Sequence, residues 1–261
     1  MVFFGKPAPE LARQIEHCWS AIPEGSGRSF YEILPDGNMN LMFRFSSSGW
    51  RLTLLGPRTE TASVELDAAS DYFCMSFRAG QALRLADVHP AELTDNFVEI
   101  EKLGGERVDS LADRLHSLGP ASRQVVMEGL VRGAAPLVRD ARCREAAALL
   151  SLHRGVLRVN DLADGLGLHV RSLERLFLEQ VGMTPKQQAR LVRLGSLSAA
   201  LRTGGYASLA GLAHAFGYAD QSHMIRDFKE LTGRLPGEKG AGDMRLVEGE
   251  PLTRIVHRFR P

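Results

Sequence analysis

The chain reads as a two-domain α+β protein. A small antiparallel β barrel or sandwich with flanking helices comes first. An all-α domain follows, in which a long helix joins two helix-turn-helix units. Three observations predict this. Short segments of alternating apolar residues fill positions 28 to about 80, helical periodicity takes over from Gly80, and one motif occurs twice in the C-terminal half, about fifty residues apart. At 261 residues, 44% hydrophobic and 24% charged, the chain has the size and composition of two ordinary globular domains. The shifts in pattern place the units at residues 1–137 and 138–240, with a tail at 241–261.

The β region is legible strand by strand. Residues 9–19 are expected to form an amphipathic helix with Leu11, Ile15, Cys18 and Trp19 facing inward. Ser29–Leu34 is a strand candidate, and Pro35-Asp36-Gly37-Asn38 is a strong turn signal. Met39, Leu41, Phe43 and Phe45 then alternate with Asn40, Met42 and Arg44 as in a half-buried strand. Residues 50–54, 62–66 and 72–77 supply three more strands. Helices are expected at 81–88, 90–93, 108–118 and 121–137. Leu111, Leu115 and Leu118, then Val125, Val126 and Leu130, form stripes that suit either a cover for the sheet or a symmetric dimer contact. The tail from Glu238 onward, with Gly240 and Gly242, reads as loosely structured.

The repeat carries most of the functional information. Leu162, Ala163 and Gly167 match Leu212, Ala213 and Gly217. With one extra residue in the second turn, Arg175, Phe177, Glu179, Gly182 and Pro185 match Arg226, Phe228, Glu230, Gly233 and Pro236. Each copy predicts a short helix, a glycine turn at φ > 0 and a longer helix, the layout of a helix-turn-helix DNA reader. Leu173, Leu176, Phe177 and Val181 share one face of the first long helix, and Met224, Phe228 and Leu231 one face of the second. The remaining faces carry the candidate DNA contacts: Arg171, Ser172, Glu174 and Arg175, then Gln221, Ser222, His223, Arg226 and Lys229. Arginine can bind guanine bidentately and glutamine can do the same for adenine. Asp220 is placed to cap the second long helix, and Lys186–Leu201 forms the connecting helix despite Gly195 inside it.

Charge separates the halves. Residues 1–140 hold 14 basic against 19 acidic side chains, and residues 141–261 hold 18 against 12, although the whole chain is only +1. A basic module beside an acidic one fits a nucleic-acid reader attached to something else. Cys18, Cys74 and Cys143 are odd in number and widely spaced, which argues against disulfide and zinc frameworks and suits a reducing cytoplasm. No catalytic constellation emerges: Asp220, Ser222 and His223 lie within one helical turn and cannot form a relay. His17, His89 and His116 lack metal-ligand spacing, and no phosphate-binding glycine motif is present. No cofactor, no metal, no membrane span and no enzymatic activity are therefore expected. Met39, Phe43, Trp50, Phe73 and Met75 are core candidates and, on a sharper reading, the lining of an apolar ligand cavity.

Over Arg142–Pro236 the sequence resembles the AraC-type (AraC/XylS) transcriptional regulators. The most specific part is Ala213-His214-Ala215-Phe216-Gly217-Tyr218-Ala219-Asp220-Gln221-Ser222-His223 with Arg226-Asp227-Phe228-Lys229 and Gly233. Leu173-Glu174-Arg175-Leu176-Phe177 and Gly182-Met183-Thr184-Pro185 match in the first copy. The resemblance implies an all-helical domain whose central helix holds two recognition helices in successive major grooves of double-stranded DNA. Departures are Leu235 before Pro236, Gly237-Glu238 after it, His169 at the first cap position, and Gly195. The N-terminal half is similar to the sensor domain of a subset of these regulators, on Leu34-Pro35-Asp36-Gly37, Leu41-Met42-Phe43, Gly56-Pro57-Arg58 and Ala91-Glu92-Leu93-Thr94-Asp95. That similarity implies a sensory or dimerising role.

Two functions follow. The first is a cytoplasmic, sequence-specific transcription regulator controlled by a signal at residues 1–137, with a small-molecule effector, RNA polymerase and a second copy of the chain as further partners. The alternative is an effector-independent or partner-controlled binding protein whose helical domain contacts another regulator.

Overall fold

Alternation along residues 39–45 decides the architecture of the N-terminal half, because successive side chains of a strand enter opposite layers. The computed structural model describes residues 2–22, 29–82, 88–100, 105–133, 138, 140–236, 238, 245–248 and 256–258. Its first sheet contains β1 (Val2–Gly5), β2 (Ile15–Ala21), β4 (Met39–Ser46), β5 (Gly49–Leu55), β7 (Asp71–Phe77) and β8 (Phe97–Glu99), in the order β1-β2-β7-β4-β5-β8. Its second sheet runs β10-β6-β3-β9, from β3 (Ser29–Ile33), β6 (Ala62–Leu66), β9 (Arg245–Glu248) and β10 (Val256–Arg258). All pairings are antiparallel except β10 with β6.

Both faces of the first sheet are buried. Met39, Leu41, Phe43 and Phe45 of β4 join Leu52, Leu54, Phe73, Met75 and Phe77 in a core roofed by α2 (Gly105–His116) and α3 (Pro120–Gly133), through Ala112, Leu115, Met127 and Val131. Met42, Tyr72 and Cys74 point the other way and meet Val64 and Leu66 of the second sheet. The expected barrel or sandwich is thus a sandwich with helices over its outer face. Leu111, Val126 and Leu130 pack against the helix-side core, so the helical stripes cover the sheet, while Val125 stands 66% exposed.

Two expectations are corrected. Residues 9–19 are not a helix: Pro9–Leu11 makes a single 3-10 turn and Ile15–Ala21 is strand β2. The register shifts between Ile15 and His17. Such a bulge reverses strand parity, so Ile15 and Cys18 enter the helix-side core while Trp19 and Ala21 enter the inter-sheet core. A period-2 pattern interrupted in this way imitates a helical stripe. The tail is not simply loose either, because β9 and β10 pair with the two outer edges of what would otherwise be the two-stranded β3–β6 ribbon. The expected helix 81–88 falls largely on residues 83–87, and the last turn of 121–137 on 134–137, outside the described residues.

The C-terminal half is helical: α4 (Ala141–Leu152), α5 (Val159–Gly165), α6 (Val170–Gln180), α7 (Pro185–Thr203), α8 (Leu209–Ala215) and α9 (Gln221–Thr232). One continuous core runs through both repeats, from Leu162, Leu173 and Phe177 across Leu191, Leu194 and Leu197 of α7 to Leu212, Met224 and Phe228. α7 starts cleanly because Thr184 and Gln187 form a reciprocal capping box and Pro185 sits in the first turn. Gly195 does not interrupt it.

Candidate nucleic-acid interface

Each repeat folds as a short helix, a glycine turn and a longer helix. Gly167 and Gly217 hold φ of 65° and 69° at the turns, a region that disfavours residues carrying a Cβ. α6 turns Leu173 and Phe177 inward, and α9 does the same with Met224, Phe228 and Leu231. What remains outside is the predicted set. Arg171 and Arg175 are exposed on α6, with Ser172 and Glu174 half-buried. Gln221, Ser222, His223, Arg226 and Lys229 are all exposed on α9. The five apolar residues considered as a ligand lining sit elsewhere. Met39, Phe43, Phe73 and Met75 are buried in the helix-side core, and Trp50 packs against it.

The two longer helices begin differently. Asp220 caps α9, its carboxylate accepting from the His223 backbone N–H at 2.7 Å. His169 precedes α6 without a side-chain cap. His223 lies edge-on to Tyr218, with ring centroids 5.3 Å apart.

A polar clamp fixes α9 to α7. Arg190 donates from Nε to Asp227 at 2.6 Å, and its other arm reaches Glu230 at 2.9 Å. The Tyr218 hydroxyl donates to the second Asp227 oxygen at 2.9 Å. Burial, with Asp227 alongside, pushes the Tyr218 phenol up, so it remains a donor. The Arg193 guanidinium lies 5.1 Å over the Tyr218 ring and also donates to the Gly155 carbonyl. Sequence reasoning singled out Arg190 and Arg193 for nothing. Their signal was two arginines three apart on one side of the connecting helix, which is visible only once the partner helix is placed.

The N-terminal half reaches the longer helix of each repeat and the helix that connects them. Thr94, just after α1 (Pro90–Leu93), donates to the Gly182 carbonyl at the end of α6 at 3.0 Å. Gly182 has φ 85°, and a Cβ there would run into the Pro90 carbonyl. Thr61 donates to the Leu231 carbonyl near the end of α9. Arg234 then pairs with Glu32 of β3 at 2.5 Å, with 13% and 1% of the two side chains exposed. Between these contacts, a cavity of about 260 Å³ separates β2 and the 34–38 turn from α7. The docked half therefore grips the C-terminal ends of α6 and α9 and leaves their outward faces free.

Comparison with known proteins finds two family models that match parts of the chain. A family model described as a helix-turn-helix domain matches residues 162–240, and one described as a domain of unknown function matches residues 5–99. A putative AraC-like transcription regulator of Streptomyces lividans is 35% identical over 96 residues, 36% of this chain. The match spans only 31% of that relative's length. A transcriptional regulator structure from Chromobacterium violaceum, with AraC-type DNA-binding domain, is 24% identical over 36% of this chain and 85% of its own, at a TM-score of 0.34. ToxT of Vibrio cholerae O395 aligns over 90% of this chain and 96% of its own, at 11% identity and a TM-score of 0.43. Two helix-turn-helix units on one connecting helix, the family match over residues 162–240 and the AraC-like relative agree: the chain carries a helix-turn-helix domain similar to that of AraC-type regulators, preceded by a separate N-terminal domain.

Proposed function

We propose that residues 138–240 read double-stranded DNA with α6 and α9, and that residues 1–137, with the tail strands, control how they do so. The observation that carries this is the pair of exposed polar faces, Arg171 to Arg175 and Gln221 to Lys229, mounted on one shared core. α7 has 19 residues, about 28 Å at 1.5 Å per residue. Successive major grooves on one face of DNA recur at about 34 Å, a span α7 covers once the widths of the flanking helices are added.

Control by the N-terminal half is supported by where it docks. It holds the ends of both reading helices and flanks α7 without covering the reading faces. A signal that altered this docking would change the relation between the two readers rather than expose a hidden one. RNA polymerase, a small-molecule effector and a second copy of the chain are the partners such a cytoplasmic regulator would take. No helix among the described residues is long and apolar enough to cross a membrane.

The experiment is selection of genomic fragments by the purified full-length protein, followed by gel shift on the recovered sequence over a salt series. Binding to a recurrent sequence, weakening as salt rises, is the expected result. Fragments with no common sequence, or none recovered, would instead favour a helical domain that contacts another regulator.

A further inference from the structure

The cavity between the halves is lined from both. Glu16, His17 and the 34–38 turn face Ser151 of α4 and Val192 to Arg202 of α7. Its 260 Å³ compares with about 150 Å³ for an apolar cavity that takes benzene. It therefore has room for roughly ten non-hydrogen atoms.

Its chemistry is uneven. Glu16 is matched by Arg78, whose Nε also donates to the Ala12 carbonyl. Asp36 accepts only from its own turn, from the Asn38 backbone N–H and side-chain amide at 2.9 Å each, and has no ion-pair partner among the described residues. An ionised carboxylate can accept more than these two bonds. Burial, with Glu16 nearby, raises Asp36 to about 6, so near neutral pH it is an anion in contact with no cation among the described residues, although Arg78 and Arg202 also line the cavity. Two further polar groups at the cavity lack partners. Ser198 Oγ belongs to a residue 2% exposed, and His17 Nε2 is fully covered. Burial, helped by Arg202 and Arg78, lowers His17 to about 4 and keeps its ring neutral. Unsatisfied buried polar groups are uncommon and point to a missing partner. Gly195 leaves the α7 wall open, with no atom within 4 Å of where its Cβ would stand.

We propose that this cavity binds a small organic ammonium compound, whose charged nitrogen donates to Asp36 while a second polar group meets Ser198 and His17. The apolar part of the ligand would lie against Leu34, Val192 and Ala199. Because both halves contribute, the ligand would favour the docked arrangement over any other by its differential contacts. The effector role rests on the DNA-reading proposal above; the binding site does not.

The test is calorimetric titration of the full-length protein, without DNA, using butylamine as probe and butyrate and butanol as matched anionic and neutral controls. Butylamine should bind at least tenfold more tightly than either control. Asp36→Asn should erase that preference while keeping an acceptor for the Asn38 backbone N–H. Gly195→Leu places a helix-favouring side chain at the cavity and should abolish binding while holding or raising the melting temperature. Equal binding of the three probes, no binding of butylamine, or wild-type binding by folded Gly195→Leu would each overturn the site. A gel shift with and without butylamine separates the two proposals. Specific DNA binding in a protein that ignores the amine sinks only this one, and amine binding in a protein that ignores DNA sinks only the other.

Discussion

The two repeats share a core and a layout, yet they are held in different ways. The second reader is fixed from within its domain: Arg190 and Tyr218 converge on Asp227, and Asp220 caps the helix. The first has no side-chain cap, and its end is braced from outside, by α1 packed on α6 and Thr94 bonded to Gly182. The duplication therefore preserved what burial demands and left the polar restraints free to diverge. The N-terminal half grips both ends, through Thr94 at the first reader and through Thr61 and the Arg234–Glu32 pair at the second.

The comparison breaks first if the core is not shared. Phe177 and Phe228 are both 0% exposed in one continuous cluster. Phe177→Ala and Phe228→Ala should each cost about 3–5 kcal/mol, and denaturant unfolding should show a single loss of both repeats for either. Unfolding of one repeat with the other intact would mean two cores.

The outside restraint on the second reader is next in size. Arg234→Ala leaves Glu32, 1% exposed, without that partner. Removing one member of a buried pair costs roughly 3 kcal/mol or more. Thermal unfolding should fall accordingly and proteolysis between the halves should quicken. Little change in either would mean that the contact adds nothing to docking.

The reading faces are compared by Arg175→Ala and Arg226→Ala. Each should weaken binding to the recovered site by about 1–3 kcal/mol, with specificity relaxed in different half-sites. Gel shifts on half-site variants measure it, and relaxation in the same half-site by both mutants would reverse the assignment of helices to grooves.

Between the halves, pH offers a finer probe. The folded-state value of His17 is depressed to about 4 and that of Asp36 raised to about 6. Protonating His17 opposes folding, so its contribution is lost as pH falls from 6.5 toward 4. Protonating Asp36 favours folding, so its contribution grows from about 6 down to its unfolded value near 4. Glu16, Arg78 and Arg202 face the same cavity and set the background. The two effects oppose each other in wild type. Asp36→Asn should expose the His17 loss, on the order of 2–3 kcal/mol between pH 6.5 and 4, and His17→Gln should show the reverse slope. Parallel profiles for all three proteins would place neither group at a buried interface.

Where burial and local geometry coincide, the chain was readable. The turn at 35–38, the strands at 62–66 and 72–77, the glycine turns and the exposed faces of α6 and α9 follow from period and special residues alone. Where structure depends on distant partners it was not. The bulge in β2 disguised a strand as a helical stripe, and the β9 and β10 segments are strands only because β3 and β6 offer them edges. The Arg190–Asp227 clamp joins residues 37 positions apart, and the cavity around Asp36 joins β2 and the 34–38 turn to α4 and α7; no local pattern announces such a meeting.

The smallest expected effect tests the divergence most directly. At the N-cap a side-chain oxygen accepts from the backbone of the first helical turn, and its loss costs about 1 kcal/mol. Asp220 makes this bond, at 2.7 Å to the His223 N–H, while His169 at the equivalent place makes none. Asp220→Ala should therefore lower stability by about 1 kcal/mol, and His169→Ser should raise it by a similar amount. Both ring and hydroxyl at 169 would be solvent-exposed, so no packing change should mask the result. If the weaker capping of α6 is what leaves its first turn adjustable, His169→Ser should also narrow the range of half-site spacings the protein accepts. Gel shifts on spacing variants read this separately from the melting temperature. A stabilised protein with unchanged tolerance of spacing would assign that adjustability to the N-terminal brace at Gly182 instead.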